Sequence, residues 1–195
     1  MRKSKLGLPL EYKKLPEYFD AHNINDDTDK INGVIENLLR THNVQTVLDL
    51  TCGTGSQVFF LAKRGYKITG ADFSPALLKI ARERAHDEKV DIRFIDGDIR
   101  SLKVGAFDAV ISIFNAVGHL TKAGFEKAIR NIYQNLNNKG IYIFDIFNLD
   151  AMTDTTVIDM AMQFQKRVNN TKIYSTQCSI IDRENSRLRA CPQTK

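Results

Sequence analysis

Three segments of this chain each place a carboxylate beside turn-forming residues at the end of an apolar run. The first is Val47-Leu48-Asp49-Leu50-Thr51-Cys52-Gly53-Thr54-Gly55. The second is Gly70-Ala71-Asp72, and the third is Asp96-Gly97-Asp98-Ile99. Glycine tolerates positive φ and lets a ligand lie against bare backbone. A helix after such a turn offers its N-terminal N–H groups to the same space. A carboxylate at Asp72 can accept from both hydroxyls of a ribose, each charge-assisted bond contributing about 1.5–3 kcal/mol. An acidic side chain at Asp98 can take the exocyclic amine of adenine, with Ile99 against the ring. Each segment alone has a plain structural alternative. Gly-x-Gly can be a mere strand–helix turn, Asp72 can start the turn before Ser74, and Asp-Gly-Asp is ordinary turn chemistry. Taken together, the three strand ends point to an adenosine-bearing cofactor.

The elements that must position these residues follow from periodicity. Residues 44–50 are β-branched and apolar, a buried strand. Residues 56–64 carry Val58, Phe59, Leu61 and Ala62 at helical spacing. Residues 66–71 form a second strand. Ser74-Pro75 opens a helix with Ser at the N-cap and Pro at the first position, and Leu77, Leu78 and Ala81 supply its apolar stripe. Strands are predicted at 92–95, 107–113 and 141–147. A helix over about 123–136 is expected to stop at Asn137-Asn138-Lys139-Gly140. Strand–helix alternation of this kind means a parallel sheet with right-handed crossovers, and ligands bind outside the carboxyl ends of its strands.

The dinucleotide fingerprint Gly-x-Gly-x-x-Gly is incomplete, because Val58 occupies its third glycine position. A phosphate-cradling P-loop is excluded by the lack of a Gly-Lys-Ser/Thr segment. In order, Asp49-Leu-Thr-Cys-Gly-Thr-Gly55, Gly70-Ala-Asp72-Phe-Ser74, Gly97-Asp98-Ile-Arg100 and Phe107-Asp108-Ala-Val resemble the motif series of class I S-adenosylmethionine (SAM)-dependent methyltransferases. The resemblance covers about residues 40–150. It implies a Rossmann-like, doubly wound, mostly parallel sheet with flanking helices, and SAM as cofactor with S-adenosyl-L-homocysteine as product. It also implies that Asp49 and the Gly53–Gly55 loop hold the methionine part, Asp72 the ribose, and Asp98 with Ile99 the adenine. Thr51 and Phe73 join the cofactor-binding set. Thr51 departs from the family, which usually has Gly or Ala there.

The stretch Ile113-Phe114-Asn115-Ala116-Val117-Gly118-His119-Leu120 is similar to its counterpart in small-molecule N-methyltransferases, such as those acting on amino sugars and glycine. By that resemblance Phe114 and Asn115 wall the methyl group. His119 is a general-base candidate, since an unperturbed imidazole titrates near neutrality; the alternative is a structural side chain capping the next segment. The implied acceptor is a small molecule, an amine for preference. Three competing readings stand beside it: a module that binds SAM or its product without activity, a nicotinamide-dependent oxidoreductase, which Val58 disfavours, and a nucleic-acid methyltransferase, whose Asn/Asp-Pro-Pro-Tyr/Phe signature Ser112 to Asn115 does not match.

Length and composition frame these readings. A chain of 195 residues with 43% hydrophobic and 26% charged residues points to one globular domain. The net charge of +5 is concentrated at the ends, with +4 in residues 1–14, +5 in 163–195 and −4 between them. A nucleic-acid reader would be expected to carry its basic stripe across the folded face, so no nucleic-acid partner is expected. No membrane partner is expected either, since no apolar run approaches the roughly 20 residues of a membrane span. Three cysteines without a CxxC pair fit a reducing cytosol and no zinc site. A cytoplasmic monomer or homodimer is expected.

Three regions are expected: a helical flank or lid at 1–42, the SAM-binding core at 43–150 and C-terminal strands at 151–195. Within the flank, Ile31, Val34, Ile35, Leu38 and Leu39 are read as one apolar face, and Tyr12, Tyr18 and Phe19 as lid residues. Residues 172–181 alternate like a strand, with a second at 187–191 after a turn at 182–185. They are either the hairpin that closes the family's sheet or part of a substrate-covering insertion, in which case the chain is truncated.

Overall fold

The computed structural model describes residues 28–153 together with Pro16 and Asp20, and the backbone of four later strands. Within residues 1–146, one of two compact units, the elements run α1 (Thr28–Thr41), β1 (Thr46–Asp49), α2 (Ser56–Ala62), β2 (Lys67–Asp72), α3 (Pro75–Asp87), β3 (Arg93–Asp96), β4 (Phe107–Ser112), a 3₁₀ turn (Ala116–His119), α4 (Lys122–Gln134) and β5 (Leu136–Phe144). The strands form one parallel sheet in the order β3-β2-β1-β4-β5. The order reverses between β1 and β4. That is the switch point beside which an open α/β sheet binds its ligand.

Burial on both sheet faces explains the apolar runs. Along β1, Val47 joins one core layer with Ile35, Leu39, Val58, Leu61 and Leu78, while Leu48 joins the opposite layer with Ala128 and Ile132. β4 alternates the same way, Ala109 and Ile111 against Val110. Helices thus cover both faces, as a parallel sheet requires. The predicted cap of α3 is present: Ser74 Oγ accepts from the Leu77 amide at 3.3 Å, with Pro75 in the first turn.

Two expectations in this unit are corrected. The buried side of α1 is Thr28, Asn32, Ile35 and Leu39, whereas Val34 is 62% and Leu38 42% exposed. The helix turns a narrower stripe inward than the apolar residues suggested. The chain at Asn137–Gly140, expected to be a turn, lies inside β5. Strand pairing begins at Leu136 opposite Phe107 and resumes at Ile141 opposite Ala109, so residues 137–140 are an irregular excursion within the strand. Lys139 has φ 65° there. The Asn137 side chain donates to Asp108 at 2.8 Å, a contact across 29 residues that local turn rules do not contain.

The second unit, residues 147–195, contains β6 (Gln163–Val168), β7 (Thr171–Thr176), β8 (Ser179–Asp182) and β9 (Arg187–Ala190). β6 pairs antiparallel with β7, and β8 with β9. The alternating stretch 172–181 is therefore two strands rather than one. The partner of the first, β6, has too little alternation to be read from sequence. The lid residues expected at Tyr12, Tyr18 and Phe19 lie outside the described residues.

Candidate functional site

The ends of β1, β2 and β4 open onto a cleft of about 270 Å³. Its lining includes Thr51, Gly53, Asp72, Phe73, Asp98, Ile99, Phe114 and His119, eight of the residues singled out from sequence. Three others, Asp49, Gly55 and Asn115, are absent from the lining. Asp49 is buried beneath the turn after β1, and its Oδ1 accepts the Thr51 amide at 3.0 Å. Gly55, expected to offer bare backbone to a ligand, has a packing role. Its φ is 94°, and a Cβ there would lie 2.7 Å from the Phe59 ring. Asn115 sits behind Phe114, with its amide turned to Asp145.

The turn after β1 is held by the neighbouring strand. Gly53 donates its amide to Asp72 Oδ2 at 2.9 Å, Ser74 donates to Asp72 Oδ1 at 2.8 Å, and Cys52 donates to the Ala71 carbonyl at 2.9 Å. A carboxylate offers about four acceptor sites, so Asp72 retains capacity for a ligand after bonding these amides. Thr54 donates its hydroxyl to Asp20, which ties the segment before α1 to the same turn. Below it, Gln57 donates to the buried Asn32 of α1 at 3.0 Å.

Electrostatics set the turn apart. Burial pushes the Asp49 carboxyl up to about 7, against the opposing effect of the Thr51 amide, and Asp72 adds to the rise. Burial likewise pushes Asp72 up to about 6. Two carboxylates in one dry site resist full ionisation, and a nearby positive charge relieves that resistance. Burial and the same two carboxylates push the Cys52 thiol well above its ordinary value, which suits a packed residue and not a nucleophile.

At the far side Asp98 pairs with Arg100. The Arg100 Nε lies 2.8 Å from Oδ1, Nη2 approaches Oδ2, and the Arg100 amide adds a 2.8 Å bond. This pairing holds the Asp98 pKa below the usual carboxylate range. Arg100 also lines the cleft, so an adenine ring reaching Asp98 would meet the guanidinium as well.

Ile113, Phe114, Ala116 and Leu120 form an apolar wall, with His119 at its edge. His119 is partly exposed, and the wall withdraws enough hydration to lower its pKa, so the ring is neutral near pH 7. Phe114 and Asn115 have φ of 63° and 54°. Consecutive left-handed conformations are costly for non-glycine residues, about 1–2 kcal/mol each. Below this strained turn Ser112 and Tyr142 share a 2.5 Å hydrogen bond.

Comparison with known proteins agrees with this geometry. A family model described as a methyltransferase domain matches residues 47–140. The chain is 28% identical over 162 residues to glycine N-methyltransferase of Homo sapiens, covering 74% of this chain and 55% of that protein. It is 29% identical over 171 residues to a glycine/sarcosine N-methyltransferase of Parasynechococcus marenigrum, covering 77% and 59%. The chain thus spans a little over half of these relatives. In fold it resembles the sugar N-methyltransferase KedS8 of Streptoalloteichus, with a TM-score of 0.74 at 17% identity over 92% of this chain and 70% of that one.

Residues 47–140 thus match a methyltransferase domain, and the fold is that of SAM-dependent methyltransferases.

The cleft fits SAM on three counts. Thr51 Oγ1 is buried at the lining without a hydrogen-bond partner among the described residues, so a polar ligand atom there would satisfy it. Asp72 retains acceptor capacity at the ribose position. The raised pKa values of Asp49 and Asp72 match a cationic ligand.

Sequence reasoning missed the lining residues Ser56 and Gln57, gave no separate role to Arg100 or Leu120 within their motifs, and missed Asp145, which bonds the Asn115 amide. Asp145 fell inside the strand predicted at 141–147, and only the observed end of β5 at Phe144 places it just beyond the sheet. Gln57 carries no local signal, since its environment depends on α1 packing over α2.

Proposed function

We propose that this protein transfers the methyl group of SAM to a small-molecule acceptor, an amine in the reading best supported. The observation that carries it is an apolar wall, with His119 at its edge, in one cleft with the carboxylates of Asp72 and Asp98. SAM supplies a methyl group already activated on a sulfonium, so the protein's task is chiefly alignment. Asp72 orients the ribose, and Asp98 with Ile99 the adenine. Asp49 acts from below, holding the Thr51 amide and contributing negative charge. Phe114 confines the acceptor against the methyl group, and Asn115 fixes the backbone behind it. His119 accepts the proton of an ammonium acceptor arriving at the mouth of the cleft.

The N-methyltransferase relatives support nitrogen as the acceptor atom. Asp20, which accepts from Thr54, anchors the segment before α1 to the cofactor turn. A second reading is a module that binds SAM or its product without turnover.

The test has two arms. Calorimetric titration with SAM, S-adenosyl-L-homocysteine and NAD should show binding of the first two alone, at micromolar levels. Incubation with methyl-labelled SAM and a panel of glycine, sarcosine and amino sugars should transfer label to at least one amine. Cofactor binding without transfer to any acceptor decides for the binding module, and NAD binding in place of SAM refutes both readings.

A further inference from the structure

Phe114 and Asn115 are bulky or polar residues in a conformation that glycine favours, and they stand in succession at the end of β4. Such a pair persists only where the surroundings over-determine it. Two surroundings do so here. Both carboxylate oxygens of Asp145 lie 3.0 Å from the Asn115 amide nitrogen. The Asn115 side chain covers Gly118, where a Cβ would sit 2.3 Å from Asn115 Oδ1, and the Gly118 amide donates to the Asn115 carbonyl at 3.0 Å.

Asp145 reaches this turn because of strand register. Ser112, the last residue of β4, lies opposite Phe144, the last residue of β5. The two chains therefore leave the sheet side by side, and the first residue beyond β5 bonds the third beyond β4. Asp145 does not line the cleft, whereas Phe114, Ala116 and His119, all carried by the turn it holds, do.

We propose that Asp145 is a positioning residue that sets the acceptor wall without contributing to cofactor affinity. The inference rests on the methyl-transfer reading above for its catalytic part, and on geometry alone for its structural part. With the Asn115 amide unbonded, residues 114–115 can relax toward right-handed backbone. Phe114 then leaves its place against the methyl group, and misplacement by about 1 Å costs roughly a hundredfold in rate. The cofactor residues Thr51 and Gly53, in the turn after β1, and Asp72, at the end of β2, are untouched.

The experiment compares the full chain with Asp145→Asn, Asp145→Ala and the double variant Asp145→Ala/Asn115→Gly. Hydrogen exchange at the Asn115 amide should accelerate by about tenfold or more in Asp145→Ala and less in Asp145→Asn, which keeps one acceptor oxygen. Calorimetric affinity for SAM should stay within about threefold in all variants while kcat with the amine acceptor falls by about ten- to a hundredfold. Glycine adopts positive φ without strain, so Asn115→Gly should recover part of that kcat in the Asp145→Ala background. Unchanged exchange at Asn115 overturns the proposal. So does SAM affinity that falls in parallel with kcat, or a double variant no faster than Asp145→Ala. Should Asp145→Ala fail to fold, Asp145→Asn carries the same comparison. If the wild type binds SAM but methylates no acceptor, the methyl-transfer reading fails by itself, and the exchange measurement still decides whether Asp145 holds the turn.

Discussion

The Asp72 carboxylate accepts the Gly53 amide at 2.9 Å, joining the end of β2 to the turn after β1. One side chain thus shapes the turn and remains available to a ligand.

Replacing Asp72 separates these duties. Asp72→Ala leaves the Gly53 and Ser74 amides without their acceptor, and a buried donor without a partner costs about 1–3 kcal/mol. Affinity for SAM should fall by about a hundredfold or more and the melting temperature should drop. Asp72→Asn keeps an acceptor for one amide, so it should lose less stability while still weakening SAM binding. Calorimetry and thermal unfolding on the two variants check this; equal SAM affinity in Asp72→Ala and wild type would remove Asp72 from the site.

Raised carboxyl pKa values predict how stability and binding change with pH. The native state holds protons on Asp49 up to about pH 7 and on Asp72 up to about pH 6, whereas unfolded aspartates release theirs near pH 3.9. As pH rises through that interval the unfolded chain binds fewer protons than the native one, so stability of the ligand-free protein falls. A cationic ligand favours the ionised carboxylates, so SAM affinity should rise between about pH 6 and about pH 7 and level off above. Titrations in buffers of different ionisation enthalpy should detect proton release, and Asp49→Asn should remove its upper part. A flat affinity over this range would contradict the electrostatic account.

Thr54 and Asp20 link the glycine turn to the segment before α1. Thr54→Val removes the hydroxyl at nearly constant volume, and Asp20→Ala removes the other partner. Each should weaken SAM binding by about three- to tenfold, and the double variant should be little worse than either alone, the signature of one shared interaction. Fully additive losses would show that the two residues act separately.

For His119 the expected signature is a pH-dependent rescue. His119→Ala should lower kcat by about a hundredfold near neutral pH, where an amine acceptor arrives protonated. The deficit should shrink as pH approaches the acceptor's own pKa, because the free amine then needs no base. A deficit constant in pH would assign His119 to positioning instead.

What the sequence determined by itself was whatever local rules govern. Strand–helix alternation, Ser74 with Pro75 at a helix start, and a carboxylate after each of three strands are visible within a few residues. They sufficed for the parallel sheet and for about half of the cleft lining. The tertiary structure decided what depends on register between distant segments. β5 begins at Leu136 because it pairs with Phe107. Val34 and Leu38 face outward although they share a helix with Ile35 and Leu39, because α1 buries only one narrow side. The Phe59 ring leaves no room for a Cβ at Gly55, a packing constraint that the local motif does not contain. Asp145 meets Asn115 across 30 residues, because two neighbouring parallel strands end in register. Short-range spacing encodes conformation, but which side chains share a site depends on which strands lie adjacent and where they end, and only the folded sheet supplies that information.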